Sequence, residues 1–296
     1  MQLRINNLSK TYSNGKQALK DISLTIDNGM FGLLGQNGAG KSTLMRTIAT
    51  LQDADQGSIL LDNLDVLRQP EEMRKLLGYL PQDFGVYPNV SATEMLDHIA
   101  GMKGISIRKE RQEAVQELLQ RVNLYDVRHR KLSTYSGGMK QRFGIAQALL
   151  GNPRVIIVDE PTAGLDPLER NRFYNLLSEI GSNTIVILST HIVEDVSTLC
   201  NDMAIIGGGS VLQAGSPSEI EQMLYGKVWE KEIERHELPH YQQTEQLISS
   251  RFHSGRLLIT VLADGIPDPS FREKSPTLED AYFALLANCF PALQTV

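Results

Sequence analysis

An apolar strand, a glycine loop and a helix follow one another directly near the start of this chain, and that succession limits what it can fold into. Phe31 to Leu34 is a short apolar run, Gly35-Gln36-Asn37-Gly38-Ala39-Gly40-Lys41-Ser42 has the spacing G-x-x-x-x-G-K-[ST], and Thr43 to Leu51 reads as a helix. Glycines there let backbone N–H groups wrap the β- and γ-phosphates of a nucleotide, and the helix N-terminus adds the positive end of its dipole. Lys41 neutralises charge, and the Ser42 hydroxyl suits Mg²⁺. A glycine-rich turn with a surface lysine would not need strand, loop and helix to agree, so the expectation is a nucleotide-binding loop.

The rest of the chain predicts an α/β fold. Val155 to Val158, Ile185 to Leu188 and Met203 to Ile206 repeat the apolar strand pattern between amphipathic stretches, as expected of a mostly parallel sheet with helices packed on it. Residues 91 to 150 differ. Ala114, Val115, Leu118, Leu119 and Val122 share one helical face, with Glu113, Gln116, Glu117 and Arg121 around it, which predicts a helical subdomain, about 84–150, inserted into the core. After the turn-rich Gly207-Gly208-Gly209 and Gly215-Ser216-Pro217, a last core helix is expected near Glu219 to Leu224. The domain expectation is therefore 1–225 followed by a small α+β module, 226–296. That module is read as strand Val228 to Ile233, a polar helix around Gln242 to Ile248, strand Leu257 to Leu262 and helix Thr277 to Ala287.

Mg²⁺ needs a carboxylate beside the phosphate loop, and an attacking water needs a base or an orienting group. Val155-Ile156-Ile157-Val158-Asp159-Glu160 supplies both, with Asp159 on the metal side and Glu160 as general base. Two acids after a strand are otherwise commonly a solvated turn; the phosphate loop upstream is what changes the reading. Ser136-Gly137-Gly138 opens a helical run to Leu150 and offers a second anion site, although such a cluster is also an ordinary helix N-cap.

In order along the chain, Gly35 to Thr43, Gln82, Ser136-Gly137-Gly138-Met139-Lys140-Gln141, Asp159-Glu160-Pro161, Gly164-Leu165-Asp166 and His191 resemble the ATP-binding subunit of an ABC transporter over residues 1 to about 220. Ser275-Pro276-Thr277-Leu278-Glu279-Asp280-Ala281-Tyr282 is similar to the ABC-2-type exporter group, whose permease is a separate chain. The fold implied is the P-loop NTPase core of ABC ATPase type. The resemblance implies ATP and Mg²⁺ as ligands, and a head-to-tail dimer in which Ser136 and Gly138 of one copy close over the γ-phosphate held by the other. It makes Gln82 a contact to Mg²⁺ and water, His191 the switch histidine that reaches the γ-phosphate, Tyr12 the aromatic under adenine and Asp166 part of the dimer contact.

Each of these has a plainer reading. Tyr12 suits the buried core as well, and Asp166 can cap the helix that Pro167 begins. Phe84, Val86 and Tyr87 fit either a groove for a permease helix or the core. Tyr135 and Met139 depart from the commonest wording, leucine and glutamine, without removing an N–H donor.

Composition narrows the function classes. There are 29 basic against 35 acidic side chains, a formal charge of −6, and the stretch from residue 226 holds seven Lys plus Arg against ten Asp plus Glu. A nucleic-acid clamp is disfavoured. No apolar run approaches the roughly 20 residues of a membrane span, the first residues lack a signal-peptide block, and Cys200 and Cys289 suggest neither disulfide framework nor zinc site. The expected place is the cytoplasmic face of the membrane, held there by a permease. The alternatives are a soluble ABC ATPase of translation or DNA repair and a glycan-exporter subunit with a substrate-sensing tail. Translation members generally carry two cassettes, repair members long coiled-coil insertions, and about 70 residues is thin for a glycan-binding sandwich.

Overall fold

The computed structural model describes residues 1–180, 183–253 and 255–287; Cys289 and the rest of the last residues lie outside that range. The chain begins with β1 (Gln2–Thr11), β2 (Gln17–Asp27), β3 (Gly29–Gly35), α1 (Lys41–Ile48), β4 (Gln56–Leu61), β5 (Leu64–Asp65), α2 (Pro70–Leu76) and β6 (Leu77–Leu80). The inserted helices α3 (Ala92–Met102), α4 (Arg108–Arg121) and α5 (Gly137–Leu149) follow. The core resumes with β7 (Val155–Asp159), α6 (Pro167–Ser178), β8 (Ile185–Thr190), α7 (Val193–Leu199), β9 (Asp202–Gly207), β10 (Ser210–Gly215) and α8 (Pro217–Gln222). The tail holds β11 (Val228–Ile233), α9 (Leu238–Thr244), β12 (Gln246–His253), β13 (Arg256–Leu262), β14 (Arg272–Glu273) and α10 (Leu278–Leu286).

The central sheet has the order β10-β9-β3-β8-β7-β6, parallel except for the β9–β10 hairpin. Both faces are covered, which is why its strands are apolar without alternation. Along β7, Val155 and Ile157 join the core shared with the first strands and α1, while Ile156 and Val158 join the core shared with α5, α6 and α7. An antiparallel sheet, β2-β1-β4-β5, lies over the first face; the sequence expectations did not include it.

Helix starts carry their own chemistry. Ser91 with Glu94, Ser216 with Glu219 and Thr277 with Asp280 form reciprocal capping boxes, and Asp166 caps α6 ahead of Pro167. The insert of α3 to α5 matches the expected helical region.

Two expectations need correction. The helix of the phosphate loop stops at Ile48, because Ala49 caps it and Thr50 has a left-handed φ of 59°. The expected helix Gln242 to Ile248 holds only over its first three residues, which lie in α9: that helix ends at Thr244 and residues 246–253 are a strand. Leu247 pairs with Val261 and Ser250 with Ile259, so the β13 ladder takes up the backbone of a segment whose polar composition suggested a surface helix.

The tail sheet, β12-β13-β11-β14, answers where Val228 to Ile233 finds a partner: all six of its residues pair with β13 of the same chain. The tail is not packed separately from the core. Leu278, Tyr282 and Leu285 of α10 belong to the same apolar cluster as Val196, Cys200, Ile220 and Leu224, and the Leu278 N–H donates to Glu221 at 3.0 Å.

Candidate functional site

Strand order explains how residues scattered over most of the chain come together. β3, β8, β7 and β6 are consecutive and parallel, so their C-terminal ends share one edge of the sheet. The phosphate loop leaves β3, His191 follows β8, Asp159 ends β7 and Gln82 lies just beyond β6. Crevices at such edges are where ligands bind in open α/β sheets.

The loop itself requires glycine. Gly40 has φ 113°, and a Cβ there would lie 2.6 Å from the Ala18 carbonyl oxygen; Gly38 has φ 83°. Gln36, Asn37 and Ala39 complete the turn, and Gly35 closes β3. Lys41 is buried, and its Nζ donates to the carbonyls of Gly35 at 2.6 Å and Gln36 at 3.3 Å. Burial lowers its pKa, while the carboxylates of Glu160 and Asp159 oppose that shift.

Glu160 is the meeting point. Its carboxylate lies 3.1 Å from His191 Nδ1 and 3.8 Å from Lys41 Nζ, and it accepts from Gln82 Nε2 at 3.4 Å. Its φ of 47° is left-handed, a conformation that costs a non-glycine residue on the order of 1–3 kcal/mol. The N–H of Glu160 donates to the Ser189 carbonyl at 2.8 Å, tying this turn to β8.

Asp159 is buried, and burial raises its pKa against the opposing influence of the Ser189 and Ser42 hydroxyls and Lys41. Its Oδ1 is buried with no hydrogen-bond partner among the described residues. A buried carboxylate oxygen with an unused lone pair near the Ser42 hydroxyl fits a hard cation that takes oxygen ligands and keeps substrate phosphates in its shell. The donors for Mg²⁺ would be Ser42, Gln82 and Asp159. Among the described residues no cluster of three or more His, Cys, Asp or Glu offers a different metal site.

Tyr12 is not a core residue. It is 36% exposed, its hydroxyl lies 3.1 Å from Thr43 Oγ1, and it donates to Gln52 Oε1 at 3.2 Å, so the ring stands beside the start of α1. Ser136 caps α5, accepting from the Met139 N–H at 3.2 Å, with Gly137 and Gly138 as its first helical residues. No hydrogen bond among the described residues links these three to the phosphate loop of the same chain. A Cβ at Gly138 would lie 2.6 Å from Glu169 Oε2, so the starts of α5 and α6 are held close. Asp166 accepts from the Glu169 N–H at 2.9 Å. Phe84 packs toward α5, where a Cβ on Gly144 would meet its ring at 2.8 Å, whereas Tyr87 is 65% exposed. The tail adjoins the site: a cleft of about 760 Å³ is walled by Gln36 and Asn37, by His191 and Val193, and by Leu278 and Tyr282 of α10.

A family model described as ABC transporter matches residues 19–163, from β2 through the acids after β7. The chain is 32% identical to an uncharacterized ABC transporter ATP-binding protein, YxlF of Bacillus subtilis, over 96% of this chain and 99% of that one. The chain belongs to the ABC transporter family. Within that ABC family it is also 32% identical to the daunorubicin/doxorubicin resistance ATP-binding protein DrrA of Streptomyces peucetius, over 90% of this chain and 78% of DrrA. Among solved structures, an ATP-binding subunit of an ABC transporter superposes with a TM-score of 0.68 at 29% identity, covering 75% of this chain and 93% of that one. A dimeric ATP-binding cassette in a post-hydrolysis state, bound to ADP and Pi, superposes with a TM-score of 0.65 at 27% identity, covering 72% and 98%. The protein is thus an ATP-binding and ATP-hydrolysing subunit of ABC type. Among the described residues no helix is long and apolar enough to cross a membrane.

The sequence reading missed Asp195, which is fully buried on α7 and accepts three hydroxyl hydrogen bonds. A signal was present. Asp195 lies at helical spacing with Ile192, Val196 and Leu199, an acid on an apolar face four residues after His191.

Proposed function

We propose that this chain is the motor of an exporter whose permease is a separate protein, working as a head-to-tail pair around two ATP at the cytoplasmic face of the membrane. The observation that carries this reading is that similarity to ATP-binding relatives runs through the tail as well as the core, over 96% of the chain for YxlF and 90% for the drug-resistance protein DrrA. The pairing is supported by Ser136 to Gly138, a helix start exposed in part and joined to no phosphate loop of its own chain. Closure of one copy's helix start over the other's nucleotide would place Asp166, which caps the neighbouring helix, at the same contact.

In this reading Lys41 and the loop N–H groups of Gly35 to Thr43 hold the phosphates, and Tyr12 stacks on the base. Glu160 takes the proton of the attacking water, Gln82 orients that water, and His191 reaches the γ-phosphate. Ser42, Asp159 and Gln82 would hold Mg²⁺, which would supply charge neutralisation on the phosphate oxygens. Tyr87 extends from the loop after Gln82 and is the side chain there best placed to meet a permease.

The tagged chain purified from detergent-solubilised membranes should bring down a multi-helix permease encoded beside it. Recovery of the chain alone from those membranes overturns the transport reading.

Tyr12→Ala should weaken ATP binding by about 5- to 150-fold, since aromatic stacking on a base contributes on the order of 1–3 kcal/mol and about 1.4 kcal/mol corresponds to tenfold. Titration with a fluorescent ATP analogue reads this, and unchanged affinity removes Tyr12 from the base site. For the proposed boundary between residues 225 and 226, truncation after Leu224 should leave ATP affinity intact but alter how ATPase activity depends on protein concentration. It should also lower Tm by several degrees, because each buried leucine of α10 contributes roughly 1.5–3 kcal/mol. A folded truncation that no longer binds nucleotide would mean that the tail completes the core.

A further inference from the structure

Asp195 has no part in the chemistry described above, yet among the described residues it accepts more side-chain hydrogen bonds than any other buried acid of the ATPase core. Its side chain is fully buried, and its carboxylate accepts from Thr162 Oγ1 at 2.6 Å, Thr190 Oγ1 at 2.9 Å and Tyr174 OH at 2.5 Å. These donors come from three separate segments. Thr162 lies two residues beyond Glu160, in the turn closed by the Ala163 N–H to the Glu160 carbonyl at 3.3 Å. Thr190 immediately precedes His191, and its hydroxyl also accepts from the Ile192 N–H at 3.0 Å, so it brackets the histidine from both sides. Tyr174 lies on α6, the helix capped by Asp166. Burial and then the hydrogen bond to Asp195 push the Tyr174 phenol well above its ordinary pKa, keeping it a neutral donor.

A buried acid that served stability alone would need partners, but no particular partners. Here two of the three donors flank residues of the catalytic edge, Thr162 just after Glu160 and Thr190 just before His191, and the third, Tyr174, lies on the helix that Asp166 caps. A carboxylate has two oxygens and about four acceptor sites, so it can hold three hydroxyls at once, which no neutral side chain of the same size does without turning one of them away. We propose that Asp195 is a positioning residue for ATP hydrolysis: it fixes the Glu160 turn, the His191 loop and α6 relative to one another. The proposal rests on the reading of Glu160 and His191 given above.

Asparagine in this place offers an N–H₂ where Oδ2 stood. Thr190 already accepts from Ile192, so its hydroxyl hydrogen loses its acceptor. In the full-length chain Asp195→Asn should lower kcat at least tenfold while changing affinity for a fluorescent ATP analogue less than threefold. Thr190→Val keeps the shape without the hydroxyl and should lower kcat severalfold, whereas Thr190→Ser keeps the hydroxyl and should retain most of the rate. Tyr174→Phe should fall between these, again with little change in affinity. Should Asp195→Asn fail to fold, the Val and Ser pair at Thr190 carries the test.

Wild-type kcat in folded Asp195→Asn or Thr190→Val overturns the proposal, as does equal loss of kcat in Thr190→Val and Thr190→Ser. Loss of ATP affinity in step with kcat also overturns it, since that is what general loosening of the core would produce. Glu160→Gln assayed in parallel separates the two ideas: normal turnover there overturns the catalytic reading itself, whatever the Asp195 variants do.

Discussion

Glu160→Gln should reduce ATP turnover by about 100-fold or more while ATP still binds. The amide keeps the volume of the side chain and can still accept from Gln82, but it cannot take a proton from water, and general-base contributions are typically about 10²–10⁴-fold. The substitution also removes the negative charge that lies 3.8 Å from Lys41 and 3.1 Å from His191, which frees the Lys41 ammonium and the His191 ring for the phosphates. A nucleotide that binds and is not cleaved should hold two copies together. Steady-state phosphate release measures the first effect; size-exclusion chromatography with ATP, with and without Mg²⁺, measures the second. Near-normal turnover would take the base role from Glu160 and leave His191 or a water chain to supply it.

What the sequence revealed of this site follows from which residues speak locally. The phosphate loop is legible because strand, glycines, lysine and helix all lie within a few residues, and each has a separate physical requirement. Asp159 and Glu160 are legible because they end an apolar run that only a doubly covered strand explains. The contacts that join these segments are long-range and leave no local trace. Nothing near Gln82 announces that its amide meets a carboxylate 78 residues away.

Asp195 is the clearest such case: its partners are spread from Thr162 to Thr190, and only the folding of β7, α6, β8 and α7 side by side brings three hydroxyls to one carboxylate. The error at 242–248 has the opposite cause. A stretch read as helix from its polar composition was overridden by the edge of β13, whose backbone groups needed a ladder. The N-terminal antiparallel sheet went unread because its strands alternate buried and exposed residues with bulges at Leu8 and Lys10, which blurs the period of two.

Lys41→Ala should weaken ATP binding by about 10- to 100-fold, and the reason lies in charge as much as in lost hydrogen bonds. A hydrogen bond to a charged group contributes roughly 1.5–3 kcal/mol, and about 1.4 kcal/mol corresponds to tenfold in affinity. Lys41 is buried, and the two carboxylates that act on it, Glu160 and Asp159, are buried too. With alanine in its place both acids face the incoming phosphates with their nearest cation gone. Like charges then oppose binding where attraction favoured it, so the loss should exceed that of one neutral hydrogen bond. Lys41→Arg separates these contributions: it keeps the charge but brings a planar fork into a space shaped for a single ammonium between the Gly35 and Gln36 carbonyls. It should bind ATP more tightly than the alanine variant and less tightly than the wild type. Equilibrium titration with a fluorescent ATP analogue orders the three proteins, and equal affinity for wild type and Lys41→Ala would assign phosphate neutralisation to another cation.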